Sequence, residues 1–129
     1  MQKKLLARVS AGEKLTREMI LEGQLWRDVS STEAQRMLAA ERELVLVDVR
    51  TPAETRSGIL PGARLIPIDE LEARTSELPR TGVPILIYCA GGGRSAAACE
   101  HLARAGFESL HNLEGGFSSW TGPRAMPPA

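Results

Sequence analysis

The chain has 129 residues and a mass of 14.0 kDa, which is the size of one ordinary domain and is enough to bury a core without a metal or a disulfide. It carries 16 basic and 16 acidic side chains, so its net charge gives no sign of nucleic-acid binding or of attraction to an anionic membrane. Its apolar runs are too short to span a bilayer, and its two cysteines are too few for a disulfide scaffold. These features predict a single soluble domain.

Residues 1–25 form a predicted N-terminal helical extension. All three lysines lie within the first 14 residues, and Ser10 to Glu13 fit a capping box that starts an amphipathic helix ending near Gly23. The basic start is followed by neither a continuous apolar core nor a small-residue cleavage site, so we expect a retained segment in a cytoplasmic protein. The helix either packs over the domain or binds a partner or a second copy of the chain.

The second predicted unit spans residues 26–124 and is followed by a loose tail at 125–129. It opens with a short strand, and a capping box at Ser30 to Glu33 then starts a helix. Next comes a continuous apolar strand over 43–49, of the kind found in sheets that are covered on both faces.

The remaining elements alternate between strand and helix. In chain order we expect a strand, a helical segment, a strand, a helix and a strand at Arg64–Ile66, 69–74, 84–88, Ser95–Ala105 and 108–113. Gly106 is the predicted cap of the long helix. This alternation favours an α/β fold with helices around a mostly parallel sheet.

A candidate catalytic loop follows the strand at 84–88. Cys89 ends that strand, and the loop after it consists of Ala90, Gly91, Gly92, Gly93, Arg94 and Ser95. Functional crevices of open parallel sheets lie beyond the carboxyl ends of the strands, where this cysteine is placed. Glycines can turn successive N–H groups toward an anion, and the following helix adds its own unpaired N–H groups and positive dipole end.

These surroundings predict that Cys89 is a reactive nucleophile. A free thiol has a pKa of about 8.5, which helix N-termini and nearby cations lower to roughly 3.5 to 7.5. The same donors would stabilise an anion attached to the sulfur, such as a persulfide, so a covalent intermediate is the natural use. The alternative is a small buried apolar residue, which is what we expect of Cys99 in the following helix.

Four short motifs in order resemble one known family. The pattern C-x-x-G-x-R-S at Cys89 is similar to the active-site loop of single-domain rhodanese-like sulfurtransferases, and the resemblance extends over residues 29–124. The other three motifs are the D-x-R segment, the G-x-x-P-G-A turn and the terminal G-G with its tryptophan, at Leu46–Glu54, Gly58–Ala63 and Leu113–Trp120.

The resemblance implies a three-layer sandwich with a five-stranded, mostly parallel sheet flanked by helices. It implies that Cys89 takes a sulfane sulfur from a small donor, such as thiosulfate or a persulfide, and passes it to a thiol, to cyanide or to a protein acceptor. The N–H groups of residues 90–95 would hold that sulfur, and Gly92 would curve the loop. The resemblance implies neither a metal nor an organic cofactor, and the balanced charge and short apolar runs predict no contact with nucleic acid or membrane.

The resemblance leaves open what the charged residues around the loop do. Arg94 either places positive charge near the thiolate or clamps the loop from behind. Asp48 and Arg50 form either a structural polar pair beneath the site, which Glu54 could join through Arg50, or ordinary strand-end charges.

Three positions depart from the family pattern. Ile59 replaces the histidine of the turn, and we interpret His101 and His111 as structural residues. Ala90 and Gly91 are neutral where thiosulfate-preferring relatives often carry basic side chains, which weakens the case for thiosulfate as the donor.

Two other functions compete with sulfur transfer. Related phosphatases and arsenate reductases place five residues between cysteine and arginine, whereas this chain has four, from Ala90 to Gly93, so its cavity is expected to suit sulfur better than phosphate. The second alternative is a rhodanese-like protein-binding or regulatory module with little activity.

Overall fold

The computed structural model describes residues 25–40 and 43–128. The predicted N-terminal helix therefore lies outside the described residues. Strands β1 to β5 are Arg27–Val29, Val45–Asp48, Arg64–Leu65, Ile85–Tyr88 and Leu110–Leu113. Helices α1 to α4 are Ser31–Ala40, Pro52–Thr55, Ile68–Leu71 and Gly93–Arg104, with 3₁₀ helices at Glu72–Glu77 and Phe117–Ser119.

The five strands form one sheet in the order β1-β5-β4-β2-β3, and every neighbouring pair is parallel. The predicted α/β class and five-stranded parallel sheet are confirmed. Strand β4 is central, with β2 and β5 on its two sides. Because the strands run in one direction, the end of β4 opens into the middle of the carboxyl edge of the sheet.

Two core layers cover the sheet, one on each face. Along β4 the side chains alternate between them, with Ile85 and Ile87 in one layer and Leu86 and Tyr88 in the other. Helix α4 packs into the first layer and α1 into the second. Both faces of β4 are thus buried, which explains the continuous apolar run in its sequence.

Local signals explain several helix ends. The Ser30 hydroxyl accepts the N–H of Glu33 at 3.1 Å, as expected of an N-cap, while the Glu33 carboxylate forms an ion pair with Arg27. Gly106 follows the end of α4 with a φ of 96°, the left-handed conformation of a helix-capping glycine. None of the helices in the described ranges combines the length and apolar character that a bilayer crossing requires.

The structure adds two features to the predicted elements. Helix α2 was not expected; its N-cap is Thr51, which exchanges a reciprocal pair of hydrogen bonds with Glu54. The tail, expected to be loose, pairs with the domain: Ala125 and Ile59 exchange two backbone hydrogen bonds of 2.8 Å each.

Candidate active site

Cys89 is the first residue after β4 and only 1% of its surface is exposed. Its backbone is held from behind by the segment after β5. The carbonyl of Cys89 accepts the N–H of Phe117 at 2.8 Å, and the carbonyl of Ala90 accepts the N–H of Ser118 at 3.0 Å. These two bonds attach the start of the loop to a neighbouring strand end and so define where the sulfur lies.

Hydrogen-bond donors surround the sulfur. The Gly92 N–H lies 3.1 Å from Cys89 Sγ, and both the N–H and the hydroxyl of Ser95 lie 3.4 Å from it. Burial alone would raise the pKa of the Cys89 thiol, but the Ser95 hydroxyl and the N–H groups of Ser95, Gly92 and Gly91 outweigh burial and lower the pKa. The loop therefore favours the thiolate.

The three glycines of the loop have different roles. Gly92 has a φ of +106°, and a Cβ there would approach the Gly115 nitrogen to 3.3 Å, so backbone angle and space both favour glycine. Gly91 and Gly93 have ordinary backbone angles and nothing within 4 Å of a built Cβ. Only Gly92 is required by the bend that turns N–H groups toward the sulfur.

Gly116 supports the loop from below. Its φ is 60°, and a Cβ there would lie 2.5 Å from the Cys89 carbonyl oxygen and 2.6 Å from that of Ala90. No side chain fits at that distance. The second glycine of the predicted G-G motif is therefore needed for the close approach of two backbone segments.

Arg94 lies at the start of α4 and forms a two-bond fork with Glu54 of α2. Both N···O distances are 2.8 Å. The Arg94 guanidinium, followed by the Thr51 N–H, lowers the pKa of Glu54 to about 2. The pairing of Glu54 with Arg50 expected from the sequence is wrong, since Glu54 binds Arg94 instead.

Two roles were considered for Arg94, a positive charge near the thiolate and a clamp on the loop, and its surroundings are compatible with both. The fork with Glu54 joins α2 to the helix that carries Ser95, as a brace would. The pKa of Arg94 is raised mainly by Glu54, while burial lowers it and a negatively charged Cys89 adds a smaller rise, as expected if positive charge lies near the thiolate.

Asp48 and Arg50 form a buried ion pair at the end of β2. Arg50 Nη2 lies 2.7 Å from Asp48 Oδ2 and 2.7 Å from the carbonyl oxygen of Gly58, and its guanidinium carbon lies 4.2 Å from the centre of the Phe117 ring. The structure brings the two predicted residues together, and the pair touches the segment that holds the Cys89 backbone.

Two polar residues that sequence reasoning missed extend the site toward β1. The Ser95 hydroxyl donates to Asn112 Oδ1 in β5, and Asn112 Nδ2 donates to Asp28 Oδ1 in β1 at 3.1 Å. Asn112 is 4% exposed and lies opposite Asp28 in the sheet register. The available signal was an amide, beside His111, in a short strand bounded by Leu110 and Leu113.

The remaining candidates lie away from the sulfur or in the core. His101 is exposed on α4, His111 is buried in β5, and Ile59 is buried where it pairs with the tail. Cys99 is fully buried, and burial followed by the charge of Asp28 raises its pKa. Within the described residues, no three His, Cys, Asp or Glu side chains are grouped closely enough to bind a metal.

A cleft of about 550 Å³ lies at the other end of the sheet, beside the amino ends of β2 and β3. It is lined by Glu43, Val45, Arg64 and Leu78, among others, and not by the Cys89 loop. The candidate active site is instead the loop after β4, where hydrogen-bond donors converge on the Cys89 sulfur.

The sequence of this chain is similar to known proteins of one family. Residues 30–123 match the family described as Rhodanese-like domain. The chain is 37% identical over 93 residues to a protein from Allochromatium vinosum named Sulfurtransferase, covering 72% of this chain and 86% of that protein. It is 29% identical over 83 residues to the Thiosulfate sulfurtransferase GlpE of Pseudoalteromonas translucida, covering 64% of this chain and 78% of that one.

A solved structure shows the same fold. The crystal structure of a rhodanese-like domain protein from Staphylococcus aureus superposes with a TM-score of 0.72 at 31% identity. The match covers 79% of this chain and 99% of that one.

Proposed function

Since the chain belongs to the family of rhodanese-like domains, we propose that it is a sulfurtransferase in which Cys89 carries a sulfane sulfur between a donor and a thiophilic acceptor. The observation that carries this proposal is the set of donors around the sulfur, from Gly92 and Ser95, which lowers the pKa of a buried thiol. A thiolate, not a thiol, is the nucleophile in sulfur chemistry.

In the first half-reaction the Cys89 thiolate attacks the outer, sulfane sulfur of the donor. An electron pair of Cys89 Sγ forms the new S–S bond, and the donor's S–S bond breaks with its pair leaving on the inner fragment. A thiosulfate donor leaves as sulfite, and Cys89 becomes a persulfide anion. A persulfide donor, R–S–SH, leaves as the thiolate RS⁻, and Cys89 becomes the protonated persulfide.

In the second half-reaction an acceptor attacks the outer sulfur of the Cys89 persulfide. A thiolate acceptor becomes a persulfide and cyanide becomes thiocyanate. In both cases the S–S bond breaks with its electron pair returning to Cys89 Sγ, which is again a thiolate. The hydrogen-bond donors of the loop that stabilise the Cys89 thiolate before the reaction therefore stabilise the same thiolate as the leaving group at its end.

The loop favours a donor of low charge. Residues 90–93 carry no ionisable side chain, and the positive charge of Arg94 is engaged with the Glu54 carboxylate. A dianion such as thiosulfate gains less attraction here than it would from an unpaired basic side chain in the loop. We therefore propose a low-molecular-weight persulfide as a better donor than thiosulfate.

The test is intact mass spectrometry of the reduced protein after exposure to thiosulfate, 3-mercaptopyruvate or a low-molecular-weight persulfide. We expect the mass of one added sulfur atom, lost again on adding cyanide, with the persulfide giving the fastest gain. Cys89→Ser should gain nothing. The matched control is Cys99→Ala, which removes the buried thiol without burying a new hydroxyl and should load like the unmodified chain.

No sulfur gain with any donor would overturn the proposal and favour a rhodanese-like binding module. Equal gain in Cys89→Ser would instead show that the nucleophile has been misassigned. Release of phosphate from an aryl phosphate, abolished in Cys89→Ser, would favour the phosphatase alternative.

A further inference from the structure

The hydroxyl of Ser95 faces more acceptors than it can serve. Its oxygen lies 2.5 Å from Asn112 Oδ1, 3.2 Å from the Gly92 carbonyl oxygen and 3.4 Å from Cys89 Sγ. A serine hydroxyl has one proton and donates one strong hydrogen bond at a time. Asn112 has the shortest contact, so it is the strongest competitor for that proton.

The orientation of the Asn112 amide is determined by Asp28. A carboxylate only accepts hydrogen bonds, so the NH₂ end of the amide, 3.1 Å from Asp28 Oδ1, must face Asp28. The carbonyl end then faces Ser95. Asp28 Oδ1 also accepts the indole N–H of Trp26 at 3.2 Å. A hydrogen-bond line therefore runs in series through Trp26, Asp28, Asn112 and Ser95 to the Cys89 sulfur.

The competition depends on the charge of the sulfur. A neutral Cys89 thiol can donate to the Ser95 oxygen while Ser95 donates to Asn112. A thiolate has no proton to give and attracts the Ser95 proton, which must then leave a buried carbonyl that has already given up its contact with water. Asn112 is 4% exposed, so little water is available to replace the lost bond.

We propose that Asn112, oriented by Asp28, is a positioning residue that competes with the Cys89 sulfur for the single proton of Ser95 and so keeps the sulfur nucleophilic. This inference rests on the proposed sulfurtransferase function only for its consequence, since the proton competition exists in the resting protein. A thiolate that is stabilised less by hydrogen bonds is intrinsically more nucleophilic, so at a pH above the pKa of Cys89, where the sulfur is fully ionised, it attacks faster.

Other charged groups surround Cys89 and stay unchanged in the test. Arg94 at the start of α4 is paired with Glu54 of α2, and Asp48 is paired with Arg50 at the end of β2. A variant at Asn112 alters none of these pairs directly, so a change at the sulfur can be traced to Ser95.

The test is the pH dependence of Cys89 alkylation by iodoacetamide in the full chain, followed by peptide mass spectrometry. Asn112→Leu removes the carbonyl at similar size. We expect the apparent pKa of Cys89 to fall by about half a unit to one unit, because Ser95 can now serve the thiolate alone. The limiting rate at high pH should fall about two- to threefold, in line with the lower basicity.

A double variant separates competition from packing. In the Ser95→Ala background, Asn112→Leu should leave the apparent pKa of Cys89 unchanged, since no hydroxyl proton remains to be shared. An unchanged or raised pKa in Asn112→Leu alone, or an equal fall in both backgrounds, would overturn the inference.

Asp28→Ala gives the same test from the exposed end of the hydrogen-bond line, for use if Asn112→Leu fails to fold. It frees the amide to turn, so we expect a smaller fall in the same direction, again abolished by Ser95→Ala. No fall in Asp28→Ala would contradict the inference. Alkylation does not require sulfur transfer, so this result and that of the loading experiment can fail independently.

Discussion

Cys89 and Cys99 are separated by ten positions and belong to the same core layer, yet the pKa of their thiols is shifted in opposite directions. Burial raises the pKa of both thiols. At Cys89 the donors of Ser95, Gly92 and Gly91 reverse that effect, whereas at Cys99 the charge of Asp28 adds to it. The opposite pKa shifts therefore come from the local hydrogen-bond donors and not from depth in the protein.

The Glu54 carboxylate gives a prediction on acid stability. Its pKa is lowered to about 2, first by Arg94. A lowered pKa in the folded state means that the stabilisation is complete above the unfolded pKa, about 4.3, and is lost as the pH falls toward 2. Both side chains are about a third exposed, so water screens the pair and Glu54→Gln should cost no more than about 1 kcal/mol at pH 7.

Urea unfolding of the unmodified chain and of Glu54→Gln at pH 7 and at pH 2.5 measures this effect. The two proteins should differ at pH 7 and converge at pH 2.5. A difference that persists at low pH would mean that Glu54 acts through its cap on α2 and not through Arg94. Glu100→Gln, in the exposed pair with Arg104, is the matched control.

Sequence reasoning placed Cys89 at the end of a strand, where the structure has it, but considered Arg50 as the partner of Glu54, which binds Arg94. Cys89 could be predicted because a strand end, glycines and a helix start are all adjacent in the chain. Glu54 is close to Arg50 in sequence, but Arg50 is already bound to Asp48 and to Gly58, and the partner of Glu54 is forty residues away. Contacts of that separation are set by the fold, not by local spacing.

At the scale of elements, the junction between β4 and α4 depends on one backbone angle. Gly92→Ala places a side chain at a φ of +106° and 3.3 Å from the Gly115 nitrogen. Strain of this kind costs about 1–3 kcal/mol, and relief would move the N–H of Gly92 away from the sulfur. We expect lower stability to urea, a higher Cys89 pKa and slower sulfur loading.

Gly93→Ala is the matched control for the Gly92 variant. It has an ordinary φ and open space, and it lies in the first turn of α4, so alanine should be neutral or slightly stabilising. If both alanines slow loading equally, the flexibility of the loop matters more than the angle at Gly92.

The regular elements could be predicted because their signals are local. Continuous apolar runs predicted β2 and β4. The Ser30 cap predicted the start of α1, and Gly106 predicted the end of α4. Helix α2 was missed because its four residues are too few to show an apolar period, although the capping box of Thr51 and Glu54 was a local signal for it. The pairing of Ala125 with Ile59 was missed because it joins distant segments.

At the scale of the whole molecule, the Asp48–Arg50 pair links three regions that meet behind the active site. Arg50 binds Asp48 at the end of β2, the Gly58 carbonyl in the turn and the ring of Phe117 after β5. Arg124, just before the tail, contacts the same ring, with its guanidinium carbon 4.3 Å from the ring centre. Phe117 therefore makes cation–π contacts with two arginines from distant parts of the chain.

Asp48→Ala should destabilise the fold strongly, because it leaves the Arg50 charge buried with no carboxylate partner. The expected loss is about 3–5 kcal/mol in urea unfolding, whereas Glu100→Ala, which breaks an exposed pair, should change stability by about 0.5 kcal/mol or less. The carboxylate and guanidinium of the buried pair are 0% and 4% exposed. A loss below about 1 kcal/mol would mean that other groups compensate the Arg50 charge.

Main-chain N–H groups supply most of the hydrogen bonds to the Cys89 sulfur. The groups that lower the pKa of the thiol are therefore largely distinct from the side chains that a sulfur donor would meet. Gly91 and Gly93 have open space where side chains could be added, and substitutions there other than proline leave the N–H groups of Gly92 and Ser95 in place. For the proposed sulfur transfer, mutational libraries at these two positions could therefore alter which sulfur donors approach while the hydrogen bonds to Cys89 are kept. The loop offers protein engineers a place to vary selectivity separately from those hydrogen bonds.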